Sequence, residues 1–186
     1  MSQISNVLPF PRGETYAQDG AITMAATTAS ELEGKLYRVE DSLHGTGEDV
    51  ILRCVRCSAA ITVAYKLMSF AAAKFNLQID GISGTAGEVC KPLDDKYASD
   101  GAITTIVQYD LCYVVEEGPC DILSAAGGIT TTALEAVGGD GAGAIKDSIP
   151  TAGQAVIGTA AENMTVAATA YRVNVRGNCH PSDAAG

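Results

Sequence analysis

Residues 104–118 read TTIVQYDLCYVVEEG and carry the strongest strand signal in the chain. Ile106, Val107, Tyr109, Leu111, Tyr113, Val114 and Val115 cannot share one stripe of a helix, whereas β-branched and aromatic side chains pack well on a pleated surface. Upstream, DVILRCVRCSAAITV (residues 49–63) has the small and β-branched apolar content of a buried strand pair. GKLYRVED (residues 34–41) alternates Leu36, Arg38 and Glu40 against Tyr37 and Val39. Downstream, GPCDIL (118–123), AAGGITTTALEAVGGDGAGAIKD (125–147) and AGQAVIGTAAENMTVAATAYRVNVRG (152–177) give further short strands separated by Gly-rich turns. This rhythm predicts a mostly β chain, an antiparallel β-barrel or β-sandwich.

One segment reads otherwise. In AYKLMSFAAAKF, Ala64, Leu67, Met68 and Ala71 follow i, i+3, i+4, i+7 spacing, which predicts a short helix over about residues 63–75. At the start, Pro9 and Pro11 fix φ and remove two backbone donors, so residues 1–15 are expected to form an extended arm. Phe10 between them is suited to anchor that arm in a neighbour's groove. Residues 16–176 form the β-rich domain and 177–186 a flexible tail. The domain carries an echo: YAQDGAIT at 16–23 against YASDGAIT at 97–104, then Tyr37-Arg-Val-Glu against Tyr113-Val-Val-Glu, then GEDVIL against GPCDIL. The blocks are unevenly spaced, and they outline two lobes, 16–87 and 88–176.

Composition narrows the function classes. The 186 residues include 20 Gly and no Trp, and 12 Lys and Arg against 22 Asp and Glu give a net charge of −10. Binding to nucleic acid needs a cationic footprint that displaces counterions from phosphates, and this chain has the opposite sign. The same sign repels anionic lipid headgroups. No run approaches the roughly 18 apolar residues of a membrane span. The first residues lack a cationic region followed by an apolar run, so synthesis in the cytosol is expected.

The residues able to do chemistry are scattered. Six cysteines, Cys54, Cys57, Cys90, Cys112, Cys120 and Cys179, stand at irregular spacing and read as reduced, buried, small apolar side chains. Cys54 and Cys57 form a CxxC, the spacing of a zinc or thiol-redox pair. A zinc site wants a second pair, and a redox pair wants a helix N-terminus. This one lies in a strand-like run, where the two thiols would point to opposite faces. Cys179 beside His180 sits in the tail, and His44 is the only other histidine. GGDGAGA lacks the Lys and Ser/Thr of a phosphate loop and reads as a hairpin tip. ISGT and DSIP lack the strand–turn–helix setting of a nucleophilic serine. The acidic pairs Asp94-Asp95 and Glu116-Glu117 lack the alternating oxygen ligands of a calcium loop. No catalytic, cofactor-binding or metal-binding residue is therefore assigned, no cofactor is expected, and the chain is expected not to be an enzyme.

The segments EVCKPLDDKYASDG, DLCYVVEEGPCDIL, AAGGITTTALEAVGGDGAGAIKDS and AGQAVIGTAAENMTVAATAYRVNV, spanning residues 88–175, resemble the capsid cement or decoration proteins of tailed bacteriophages. Ile157-Gly158-Thr159-Ala160 and Arg172-Val173-Asn174-Val175 match that family's closing strands, and GKLYRVED and GEDVILRC look like its opening ones. The six cysteines and the insert at 64–80 depart from it. The resemblance implies a small β-barrel or sandwich, often a homotrimer, that sits on the outer surface of the virion capsid and reinforces it by bridging major capsid protein subunits. Two other readings stay open: a tail-tube, head-fibre or host-adhesion protein, and a zinc or thiol protein using Cys54 and Cys57.

Overall fold

The computed structural model describes residues 32–40, 47–62, 65–71, 78–86, 89–94, 106, 108–127, 129–147 and 155–176. The N-terminal arm, both YAxDGAIT blocks, both histidines, Cys179 and the tail lie outside the described residues.

Ten strands make up the regular structure of the described residues: β1 (Leu36–Glu40), β2 (Asp49–Cys57), β3 (Lys66–Phe70), β4 (Gln78–Ile82), β5 (Cys90–Leu93), β6 (Leu111–Leu123), β7 (Ala136–Gly139), β8 (Ile145–Asp147), β9 (Val156–Ala160) and β10 (Ala170–Val175). They form one sheet in the order β5-β3-β4-β2-β6-β10-β9-β7-β8, with β1 added to β2 beside that path. Every pairing is antiparallel except β2 with β4. The chain is thus mostly β, as the strand rhythm predicts. The sheet is not closed into a barrel; a single bridge between Ser124 and Ile145 links the β8 edge back to the end of β6.

The helix expected over residues 63–75 is not formed by those of its residues that are described. Lys66–Phe70 is strand β3, paired with β4 on one side and β5 on the other. Leu67 and Met68 are adjacent and both fully buried, but in two different apolar clusters, one on each face. A strand covered on both faces loses its polar alternation, and its apolar run then mimics a helical stripe. Tyr65, at φ 58°, already breaks any right-handed helix at that point.

The long strand β6 organises the molecule. Its first part pairs with β2, Cys54 facing Tyr113 and Leu52 facing Val115, and its second part pairs with β10, Cys120 facing Val173. Between the two the register slips: Leu52 faces Val115 but Ile51 faces Glu117, so Glu116 is an extra residue, a β-bulge. Side chains alternate with a strict period of two, so one inserted residue moves everything beyond it to the other face. Leu111, Tyr113 and Val115 before the bulge, and Cys120 and Ile122 after it, therefore all enter one main core. Cys112 and Val114 face the other way, into a second core with Val55, Cys57, Ile61, Met68, Ile79, Leu93 and Ile106. Gly118 follows the bulge at φ 110°, and a Cβ there would lie 2.7 Å from the carbonyl oxygen of Asp49. Only glycine fits both demands.

At the other end of β2, a turn over residues 32–35 feeds β1. Lys35 N–H donates to the Leu32 carbonyl, and Gly34, at φ 81°, donates to the Cys54 carbonyl while Cys54 donates back to Lys35. That is a glycine bulge, and it sets the hydrogen-bonding phase of β1. Tyr37 on β1 and Tyr113 on β6, the two tyrosines of the sequence echo, meet edge to face, with ring centroids 5.8 Å apart.

Candidate functional site

The residues with chemical potential converge on the bulge of β6. Glu116, released from the ladder, accepts from Arg53 Nε at 2.8 Å and lies 3.0 Å from Lys91 Nζ, which also reaches the Glu116 carbonyl at 3.3 Å. Arg53 spans further to the carbonyl of Gly34, 3.0 Å away. One carboxylate thus ties β2, β5 and the turn before β1 to the central strand. Burial pushes the Glu116 carboxyl up, but the Arg53 hydrogen bond and the Lys91 charge outweigh it, and the group is held below its ordinary value. Five residues on, Asp121 accepts from Arg172 Nε at 2.8 Å, and its own N–H donates to the fully buried Asp94 at 2.7 Å. Glu117 is exposed. The acidic pairs of the sequence therefore separate in space: Glu116 and Asp94 join the sheet to itself, whereas Glu117 faces water and Asp95 lies outside the described residues. Carboxylates saturated by internal donors make poor cation ligands, and among the described residues no three His, Cys, Asp or Glu side chains are grouped to hold a metal.

The CxxC divides between the two faces of β2. Cys54 packs in the main core and Cys57 in the second, so they cannot jointly hold one ion. What strand alternation alone does not disclose is the neighbour of Cys57. Across the ladder Val55 faces Cys112, which puts Cys112 one diagonal step from Cys57 on the same face, and the two sulfurs share a hydrogen at 3.3 Å. Cys112 titrates well above the ordinary thiol range because it is hydrogen-bonded to Cys57 and buried. Burial, with Cys112 and Glu33 nearby, also raises Cys54, and burial beside Asp94 and Asp121 raises Cys120. Protonated thiols are weak nucleophiles and weak metal ligands.

GGDGAGA is a hairpin tip, between β7 and β8, but it is not free. Asp140 accepts from the N–H groups of Ala142 and Ala144 at 2.7 and 2.9 Å, taking the donors an anion would need. Gly143 presses on the neighbouring strands: its carbonyl accepts from Leu67 N–H at 2.8 Å, and a Cβ there would fall 2.2 Å from Ile82. Lys66 Nζ caps the Ala142 carbonyl at 3.1 Å. The loop's glycines serve the docking of one part of the sheet on another. Of the serines in ISGT and DSIP, Ser83 is buried behind this tip and Ser148 lies outside the described residues.

One surface feature remains open. Among the described residues β1 pairs with β2 alone. Because Cys54 bonds Lys35, the peptide groups of Tyr37 and Val39 turn toward β2, and those of Leu36, Arg38 and Glu40 turn outward. Leu36 is 53% exposed on this rim, and Arg38 is held by an ion pair with Asp49.

No family model matches the chain, and no curated protein matches it. Among solved structures, the N base of the head fibre gp8.5 of bacteriophage phi29 aligns with a TM-score of 0.40 and 13% identity, over 70% of this chain and 98% of that one.

Proposed function

We propose that the chain is a structural, non-enzymatic protein of a phage particle that attaches to the outer surface of the capsid and reinforces it by bridging major capsid protein subunits. The observation that carries this reading is the outer edge of β1, along which no strand pairs among the described residues. An edge strand offers a row of peptide donors and acceptors, and an extended segment of another chain can add to it by main-chain hydrogen bonds that ask little of its sequence. The resemblance of residues 88–175 to cement proteins supports the same role, as do the internal contacts that hold Glu116, Asp94, Asp121 and the Cys57–Cys112 pair. Assembly as a homotrimer belongs to the proposal, since several weak edges acting together hold far better than one. The charge of −10 favours a protein partner over nucleic acid or anionic membrane.

Particles assembled without the protein should lose resistance to heat and salt; unchanged resistance would sink the proposal. Arg38→Pro tests the edge itself. Proline is tolerated where the lost N–H faces outward, so the fold should keep its melting temperature while an added strand loses a hydrogen bond and meets a ring. Capsid occupancy should drop, and full occupancy by this variant would remove β1 from the interface. A hexameric ring in analytical ultracentrifugation would favour a tail-tube subunit instead.

A further inference from the structure

Cys57 is the last residue of β2, and the chain turns at once into a bend whose Ala59 and Ala60 are exposed. Cys112 is the second residue of β6 and enters from the same end. The sulfur pair therefore sits near the ends of two inner strands, where Cys57 still bonds Asp110 and Tyr109 through its backbone, and neither side chain is reached by solvent when the strands are closed. Strand ends open with far less free energy than whole sheets. A disulfide needs the sulfurs at about 2.05 Å, so the 3.3 Å contact must close by only on the order of an ångström. Cys54, one turn of the pleat away, lies on the opposite face and cannot compete.

We propose that Cys57 and Cys112 form a disulfide modification site, oxidised by a peroxide, which fastens β2 to β6 across the second core. Opening of the β2 end admits hydrogen peroxide to Cys57. The thiol loses its proton to solvent and the thiolate attacks one peroxide oxygen; the O–O bond breaks, and the departing hydroxide is protonated to water. Cys57 is then a sulfenic acid. The Cys112 sulfur attacks it, the S–S bond forms and the S–O bond breaks. The oxygen leaves as hydroxide and takes up the Cys112 proton as a second water. Two thiols and one peroxide thus give one disulfide and two waters, with two electrons passing from sulfur to oxygen.

The experiment treats the folded full-length protein with hydrogen peroxide, then alkylates it in denaturant and maps the peptides. The expected result is a peptide pair joined through Cys57 and Cys112, loss of two of the six alkylatable thiols, and Cys54 still alkylated. The cross-linked form should melt higher by roughly 10 °C, since the bond closes a long loop in the unfolded chain. Cys112→Ser, verified as folded by far-UV circular dichroism, should lose both the linked peptide and the peroxide-dependent rise. Retention of all six thiols, a link from Cys57 to any other cysteine, or a link between two chains would overturn the proposal.

Discussion

The two parts of β6 face different worlds. Before the bulge, Leu111–Val115 is buried residue after residue, with one face in the main core and the other in the second core. After it, Cys120 and Ile122 enter the main core while Asp121 and Leu123 are only half-buried and Asp121 holds Arg172. The same strand is thus central in a two-faced layer at one end and half-solvated at the other. The difference shows what a bulge accomplishes beyond bending a strand. It lets apolar side chains on either side of residue 116 reach one core, and it does so at the place where a carboxylate can be clamped by two cations.

The sharpest way to break this arrangement is Gly118→Ala. Strain at φ 110° adds to overpacking against Asp49 and Val50, and the loss should be on the order of 4 kcal/mol, read as a collapse of the urea midpoint. Next is Glu116→Gln, which removes the negative charge that Arg53 and Lys91 share and should cost about 3 kcal/mol at pH 7. Its pH dependence carries a sign. The Glu116 carboxyl is lowered from its ordinary 4.5 in the folded state, so the unfolded chain binds the proton first. The stabilisation is complete above that value and disappears as pH falls through the lower folded value. The gap between wild type and Glu116→Gln should therefore narrow on acidification, and a gap that widens would contradict the clamp. A paired substitution sharpens the contrast of faces: Val114→Thr buries a hydroxyl in the second core at about 1–3 kcal/mol, whereas Leu123→Thr on the half-exposed continuation of that face should cost under about 1 kcal/mol. Smallest of all, Arg38→Ala should change stability by less than about 0.5 kcal/mol, because its ion pair with Asp49 is largely in water.

Much of the strand content was legible because turn residues and β-branched runs act locally. GKLYRVED, DVILRCVRC and LCYVVEEGPCDIL all became strands near the expected places. The KLMSF segment reads as a helix for a physical reason: a strand with one face in each core carries no period of two, and an apolar Leu67-Met68 step fits either element. The opposite orientation of Cys54 and Cys57 follows from alternation along one strand. The meeting of Cys57 with Cys112, and of Arg53 and Lys91 with Glu116, does not, since each depends on register between segments far apart in sequence. The sole local hint of the bulge is Gly118 behind two acidic residues, where a continuing ladder would place a side chain.

The position of β6 also governs when the molecule can assemble. β2 has its other flank on β1 and β4, but the face-forming partner of Leu52, Cys54 and Val55 is β6, and Arg53 and Glu116 are 63 residues apart. A ribosome adding roughly 5–20 residues per second needs several seconds to span that gap. Through that interval β2 can pair with β1 and then β4 on one flank, but its other flank stays open and neither core is complete. Folding therefore waits on a late segment, and the intervening seconds are when a chaperone would be most useful and when aggregation would be most probable.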